Sequence, residues 1–140
     1  QTVFLAPDPD TTITDPSTTL LPISVSAYDA ENGSLYIHSS RGYTRSGEIK
    51  PELAAPGVGI SAVAKNGSLT SVTGTSAAAA LTAGAAALLV DWRKSQTLMT
   101  SSELKNFLIR GAGRSRDLTY PNRSWGYGTL NVYGVFESLL

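Results

Sequence analysis

Residues 76–93 are nearly all small or apolar, broken only by Thr82 and Gly84 before the polar positions at Asp91 and Arg93. A stretch this uniform has no polar face, so the pattern predicts a helix buried nearly all round, with its many alanines adding helix propensity. Its apolar run is shorter than the roughly 20 residues that cross a bilayer, which favours a core helix over a membrane span. Upstream the period changes. Residues 23–28 alternate β-favouring with small side chains and end at the turn cluster 29–33, residues 35–38 read as a second strand, and residues 53–57 are short and apolar with a Pro-Gly turn. A further strand over residues 59–64 precedes Asn66-Gly67, a strong turn signal, and the two suggest a small hairpin.

Thr100-Ser101-Ser102-Glu103 has the form of a capping box, and Leu104, Phe107, Leu108 and Ala112 supply the apolar face of the helix behind it, which should stop near Gly111 to Gly113. Asn131 reads as the N-cap of a last short helix over residues 132–139. Residues 1–22 are Pro-, Asp- and Thr-rich loop, with one brief extended segment over residues 11–14. Strands followed by helices in this order predict an α/β fold: parallel strands, a long helix across the sheet, and two shorter helices at the end.

Composition narrows the picture further. The chain has 140 residues, 41% hydrophobic and 16% charged, the profile of one folded unit. Eleven basic and eleven acidic residues cancel, and the arginines are scattered, which argues against nucleic-acid binding. With no Cys there is no disulfide framework, and Asp8, Asp10 and Asp15 lack the spacing of a calcium loop, so neither metal nor cofactor is expected. Trp92, Trp125 and the late tyrosines suit aromatic packing against the last helices better than a binding platform. The start, Gln1-Thr2-Val3-Phe4, has no initiator Met and no signal-peptide pattern, and reads as that of a processed or excised piece.

The segment with chemical content is Gly74-Thr75-Ser76-Ala77-Ala78, at the head of the long helix. A Ser there sits beside unpaired backbone N–H groups at the positive end of the helix dipole, where an oxyanion can be stabilised, and Gly74 permits a tight backbone approach. The plain alternative is a helix cap. Context argues against that alternative, because Leu53-Ala54-Ala55-Pro56-Gly57 lies upstream and Thr82-Ala83-Gly84-Ala85-Ala86-Ala87-Leu88 downstream.

This order resembles the subtilisin-like serine proteases, in which an Ala-Pro-Gly loop precedes a Gly-Thr-Ser-x-Ala nucleophile motif at the head of a buried helix. Ser39-Ser40-Arg41-Gly42 and Gly126-Tyr127-Gly128-Thr129-Leu130-Asn131-Val132 are similar to further family segments, so the likeness covers most of the chain from about residue 11. Residues 11–16 and 110–128 look most like subtilases of clostridia and related gut bacteria, including Csp-type germination proteases.

The resemblance implies a serine endopeptidase with Ser76 as nucleophile and oxyanion donor and Thr75 supporting that hole. It also implies that Thr12, Thr14, Asp15 and Gly74 contact substrate around the residue before the scissile bond. The Pro-His that usually follows the Ser is here Ala80-Leu81. The chain would be the C-terminal portion of the catalytic domain, 1–140, with the Asp, His and oxyanion Asn upstream of it. His38, the single His, lacks the surroundings of the general base and reads as a partly buried strand or loop residue.

The resemblance therefore implies a peptide or protein substrate and, as partner, the N-terminal part of the same protease. Alone, the chain should be inactive and leave apolar faces and sheet edges that favour dimerisation or segment swapping. Secreted, cell-surface or spore placement follows from the resemblance only. A non-catalytic pseudoprotease or peptide-binding regulator on the same scaffold is the alternative.

Overall fold

The computed structural model describes residues 5–93 and 98–140; Gln1 to Phe4, which carried the reading of a processed start, lie outside the described residues. Two four-residue strands, β1 (Val25–Tyr28) and β2 (Leu53–Pro56), pair in parallel, with Val25 opposite Leu53 and Ala27 opposite Ala55. Residues 126–130 run along the other edge of β2 through the bonds Tyr127 N to Glu52 O at 2.8 Å, Ala54 N to Gly128 O at 2.9 Å and Leu130 N to Ala54 O at 2.7 Å. A Cβ at Gly126, whose φ is +55°, would lie 2.2 Å from the Pro51 carbonyl, so this close approach requires glycine.

Residues 35–38 form no strand. One antiparallel bridge joins Tyr28 to Leu35, Tyr36 N donates to Ala27 O at 2.9 Å, and the chain then turns as Ser39 N bonds Tyr36 O at 2.8 Å. The Ser39 hydroxyl accepts the Ala27 N–H at 3.0 Å, taking the place of the next ladder bond. The hairpin does form: β3 (Ile60–Val63) and β4 (Leu69–Val72) pair antiparallel around Gly67, whose φ is +82°. It stands off the body, with Val63 and Leu69 exposed. Residues 11–14 are not a strand either, though Thr11 N and Thr12 N bond the carbonyls of Gly42 and Arg41.

Helix α1 (Thr75–Arg93) crosses the sheet, followed by α2 (Ser101–Arg110) and α3 (Val132–Glu137). The expected burial all round α1 is not observed. Its buried residues are Ala78, Thr82, Ala85 and Leu89, one stripe at helical spacing, while Leu81, Leu88, Val90 and Trp92 are exposed. By length and composition alone α1 could cross a membrane, but its buried stripe packs on β1 and β2 as a core helix does.

The main core gathers Leu53, Ala85, Leu89, Leu108, Ala112 and Val135. Truncating Leu53 or Leu89 there to Ala should cost about 2–5 kcal/mol. A second cluster, Ala27, Ala55 and Ala78, consists only of small side chains and lets the first turn of α1 sit close over the strand ends.

An ionic cluster fixes the approach to β1. The Glu52 carboxylate receives Lys50 Nζ at 2.6 Å, Lys105 Nζ at 2.7 Å and the Ser24 N–H at 2.7 Å. Lys50 and Lys105 also donate to the carbonyls of Pro22 and Leu20, each at 2.7 Å, so residues 20–24, β2 and α2 are tied at one buried point. Every charge in it is paired or bonded, the condition under which a buried ion is tolerated.

Candidate active site

Gly57 and Gly74 build the seat of Ser76. Gly57 follows β2, and its N–H donates to Tyr28 O at 2.9 Å. A Cβ on it would lie 2.6 Å from the Ala27 Cβ and 2.9 Å from the Gly74 carbonyl, so glycine is required by contact. Gly74 donates in turn to Gly57 O at 2.7 Å, with φ +149° opening the turn into α1. The Gly74 carbonyl accepts the N–H groups of Ala77 at 3.1 Å and Ala78 at 3.4 Å.

Ser76 is thereby lifted onto the exposed first turn of α1. Among the described residues neither its hydroxyl nor its N–H has a hydrogen-bond partner. An open N–H at a helix N-terminus beside an alcohol is an arrangement that can stabilise negative charge on an adjacent oxygen. An alcohol becomes a strong nucleophile only with an assisting base. His38 is exposed, not partly buried as expected, in the turn after Leu35, with its ring edge-on to Tyr36 at 5.3 Å.

The other residues singled out from sequence divide between two cavities. Thr75 and Thr14 meet at a small one of about 140 Å³, together with Ile13, Ser24 and Ser40. Thr12, Thr14 and Asp15 line a larger cleft of about 680 Å³ with Thr18, Thr44 and Arg45. Ile13 and Thr14 belong to both, so residues 12–15 form a continuous wall reaching Thr75. The Thr12 hydroxyl is committed to that wall, donating to Pro9 O and accepting from Arg41 N, each at 2.9 Å. Asp15 accepts the Thr18 hydroxyl. Gly74 lines neither cavity and sits beneath Ser76 as backbone support.

Two residues of the site region escaped the sequence reading. The packing role of Gly57 was hidden inside a motif recognised by resemblance alone, and Arg123, which bonds Thr11 and Gly42, left no local signal. Among the described residues no cluster of His, Cys, Asp or Glu could hold a metal ion.

Comparison with known proteins bears on the family and the fold. Residues 6–128 match the subtilase family. Among solved structures, the chain is similar to the CspB protease of Clostridium perfringens, with 33% identity and a TM-score of 0.89, covering 96% of this chain and 30% of that one. It is similar also to the prenylagaramide maturation protease PagA, with 25% identity, a TM-score of 0.75, and 95% and 48% coverage. The patellamide maturation protease PatA stands at 25% identity and 0.75, with 94% and 47% coverage. No curated protein matches the chain. The chain thus spans between about a third and a half of the length of these solved relatives. With the family match over most of its length and a serine-protease fold around Ser76, this chain belongs to the subtilase family.

Proposed function

We propose that this chain is the nucleophile-bearing part of a serine endopeptidase. The observation that carries the reading is Ser76 itself: an exposed hydroxyl at the head of α1, free of partners among the described residues, with its own N–H open beside it. Ser76 Oγ attacks the scissile carbonyl carbon while a His base takes its proton, and the Ser76 N–H and an Asn amide hold the oxyanion. The amine leaves with that proton, and water then hydrolyses the Ser76 ester. Thr75 supports the oxyanion site, and Thr12, Thr14 and Asp15 receive the side chain before the scissile bond.

The His, its Asp partner and the Asn come from an N-terminal part of the same protease. A groove of about 290 Å³ between the start of β1 and α1, lined by Leu21, Ile23, Val25, Ala83 and Ala86, supports this. Without that part Ser76 has no base, and loss of triad members lowers rates by about a million-fold. Residues 1–140 alone should therefore not hydrolyse peptides. The test is a fluorophosphonate probe on the full-length protein, which should label wild type at Ser76 and leave Ser76→Ala unlabelled. A full-length protein that folds and is never labelled would overturn the reading in favour of a pseudoprotease.

A further inference from the structure

The wall of the larger cleft has no regular secondary structure to hold it. Residues 10–15 are neither strand nor helix, and Thr11 holds a φ of +56°, a left-handed backbone that β-branched side chains rarely adopt. Such a conformation persists when the surroundings over-determine it. The restraints converge on Arg123. Its NH1 donates to Gly42 O at 3.1 Å and to Thr11 Oγ1 at 3.4 Å, and its Nε lies 3.6 Å from Asp10 Oδ2. Its guanidinium lies over the Tyr43 ring, 5.1 Å from the centroid, while the Tyr43 hydroxyl donates to Pro121 O at 3.0 Å.

The backbone completes the clamp. Arg123 O accepts the Gly42 N–H at 2.8 Å, and Gly42 O accepts the Thr11 N–H at 3.1 Å. Only glycine fits at this junction, since a Cβ at residue 42 would fall 1.6 Å from the Lys50 carbonyl oxygen. Arg41 brackets the next residue, accepting from Thr12 N and donating its own N–H to Thr12 Oγ1, both at 2.9 Å.

We propose that Arg123 is a positioning residue for substrate selection, clamping residues 10–12 against Gly42 and Tyr43 and so setting where Thr12, Thr14 and Asp15 stand in the cleft. This rests on the reading of residues 12–15 as the wall that meets the side chain before the scissile bond. The clamp uses a planar face for Tyr43, hydrogen bonds from NH1 to Gly42 and Thr11 and an ion pair from Nε to Asp10, a geometry that an ammonium group cannot reproduce. None of its contacts involves Ser76, so it acts on the fit of the substrate rather than on the nucleophile.

The test compares full-length wild type with Arg123→Gln and Arg123→Lys in three measurements. These are amide exchange at residues 10–15, Ser76 labelling by a small alkyl fluorophosphonate, and kcat and KM over peptides varied at the residue before the scissile bond. Both variants should exchange faster at Thr11 and Thr12, raise KM roughly three- to tenfold with kcat within about twofold, and flatten the preference. Labelling should hold at the wild-type rate, and lysine should not rescue. A merely structural role would lower labelling and turnover of every peptide in proportion, and that result overturns the proposal. Unchanged exchange, or faster exchange with an unchanged peptide profile, overturns it equally. A wild type that resists labelling would instead remove the nucleophile reading and the substrate role with it. If Arg123→Gln fails to fold, Arg123→Lys, which keeps the charge, decides the same comparison.

Discussion

At Gly57 the packing leaves no room for a single methyl group, and that places Ser76. The residue lies between Ala27, Ala78 and the Gly74 carbonyl, so an added Cβ pushes on backbone that no side-chain rotation can relieve. Gly57→Ala should cost about 1–3 kcal/mol of stability as an overpacked site. Because the displaced atom belongs to the turn that presents Ser76, fluorophosphonate labelling of the full-length protein should slow by about a hundredfold. A folded Gly57→Ala protein labelled at the wild-type rate would show that the turn tolerates the shift. Some of this was legible in the sequence. Gly74-Thr75-Ser76 drew its reading from the ordered segments upstream and downstream of it rather than from its own short motif, whereas Arg123 read as one of several scattered arginines until folding brought it onto Thr11 and Gly42.

Elements were legible where their signal is local. The capping box of α2 forms as its four residues predict: Glu103 N donates to the Thr100 hydroxyl at 3.2 Å, and Thr100 N donates to Glu103 Oε2 at 2.9 Å. The N–H and hydroxyl of Thr100, with the nearby Arg93, hold the Glu103 carboxyl below its ordinary pKa. A depressed carboxyl pKa means that protonation favours the unfolded chain, so this stabilisation is present above the unfolded pKa and lost as pH falls through the folded one. Stability measured by denaturant should therefore decline from about pH 5 downward, and less steeply in Glu103→Gln. Thr100→Ala should cost about 1 kcal/mol at neutral pH. Helix α1 was predicted as an element but not by its burial. Its uniform small side chains do not distinguish one face from another, and the choice of Ala78, Thr82, Ala85 and Leu89 as the buried stripe was made by β1 and β2.

Across the whole molecule, apolar surface remains open on α1, where Leu88 is 57% exposed and Leu81 40%. Under the proposed function an N-terminal part of the protease covers this flank of α1 as well as the groove beside Ala83 and Ala86, and the difference is measurable. Leu88→Lys should change the stability of residues 1–140 by no more than about 0.5 kcal/mol, as at any exposed site, but should cost the full-length protein about 3 kcal/mol or more. Equal costs in both would mean that the face stays open. The sequence by itself determined the helices, the capping box of α2, the Asn131 cap of α3 and the hairpin turn, because each is encoded within a few consecutive residues, whereas the Gly-Thr-Ser motif took its reading from the ordered segments around it. Only the tertiary structure decided that residues 35–38 turn instead of extending, that Lys50, Glu52 and Lys105 meet in one buried cluster, and that Arg123 braces the wall reaching toward Thr75. The ionic cluster and the Arg123 brace depend on contacts between residues far apart in the chain, for which composition and spacing carry no signal, and the turn at 35–38 on the Ser39 hydroxyl meeting the Ala27 N–H once β1 is in place.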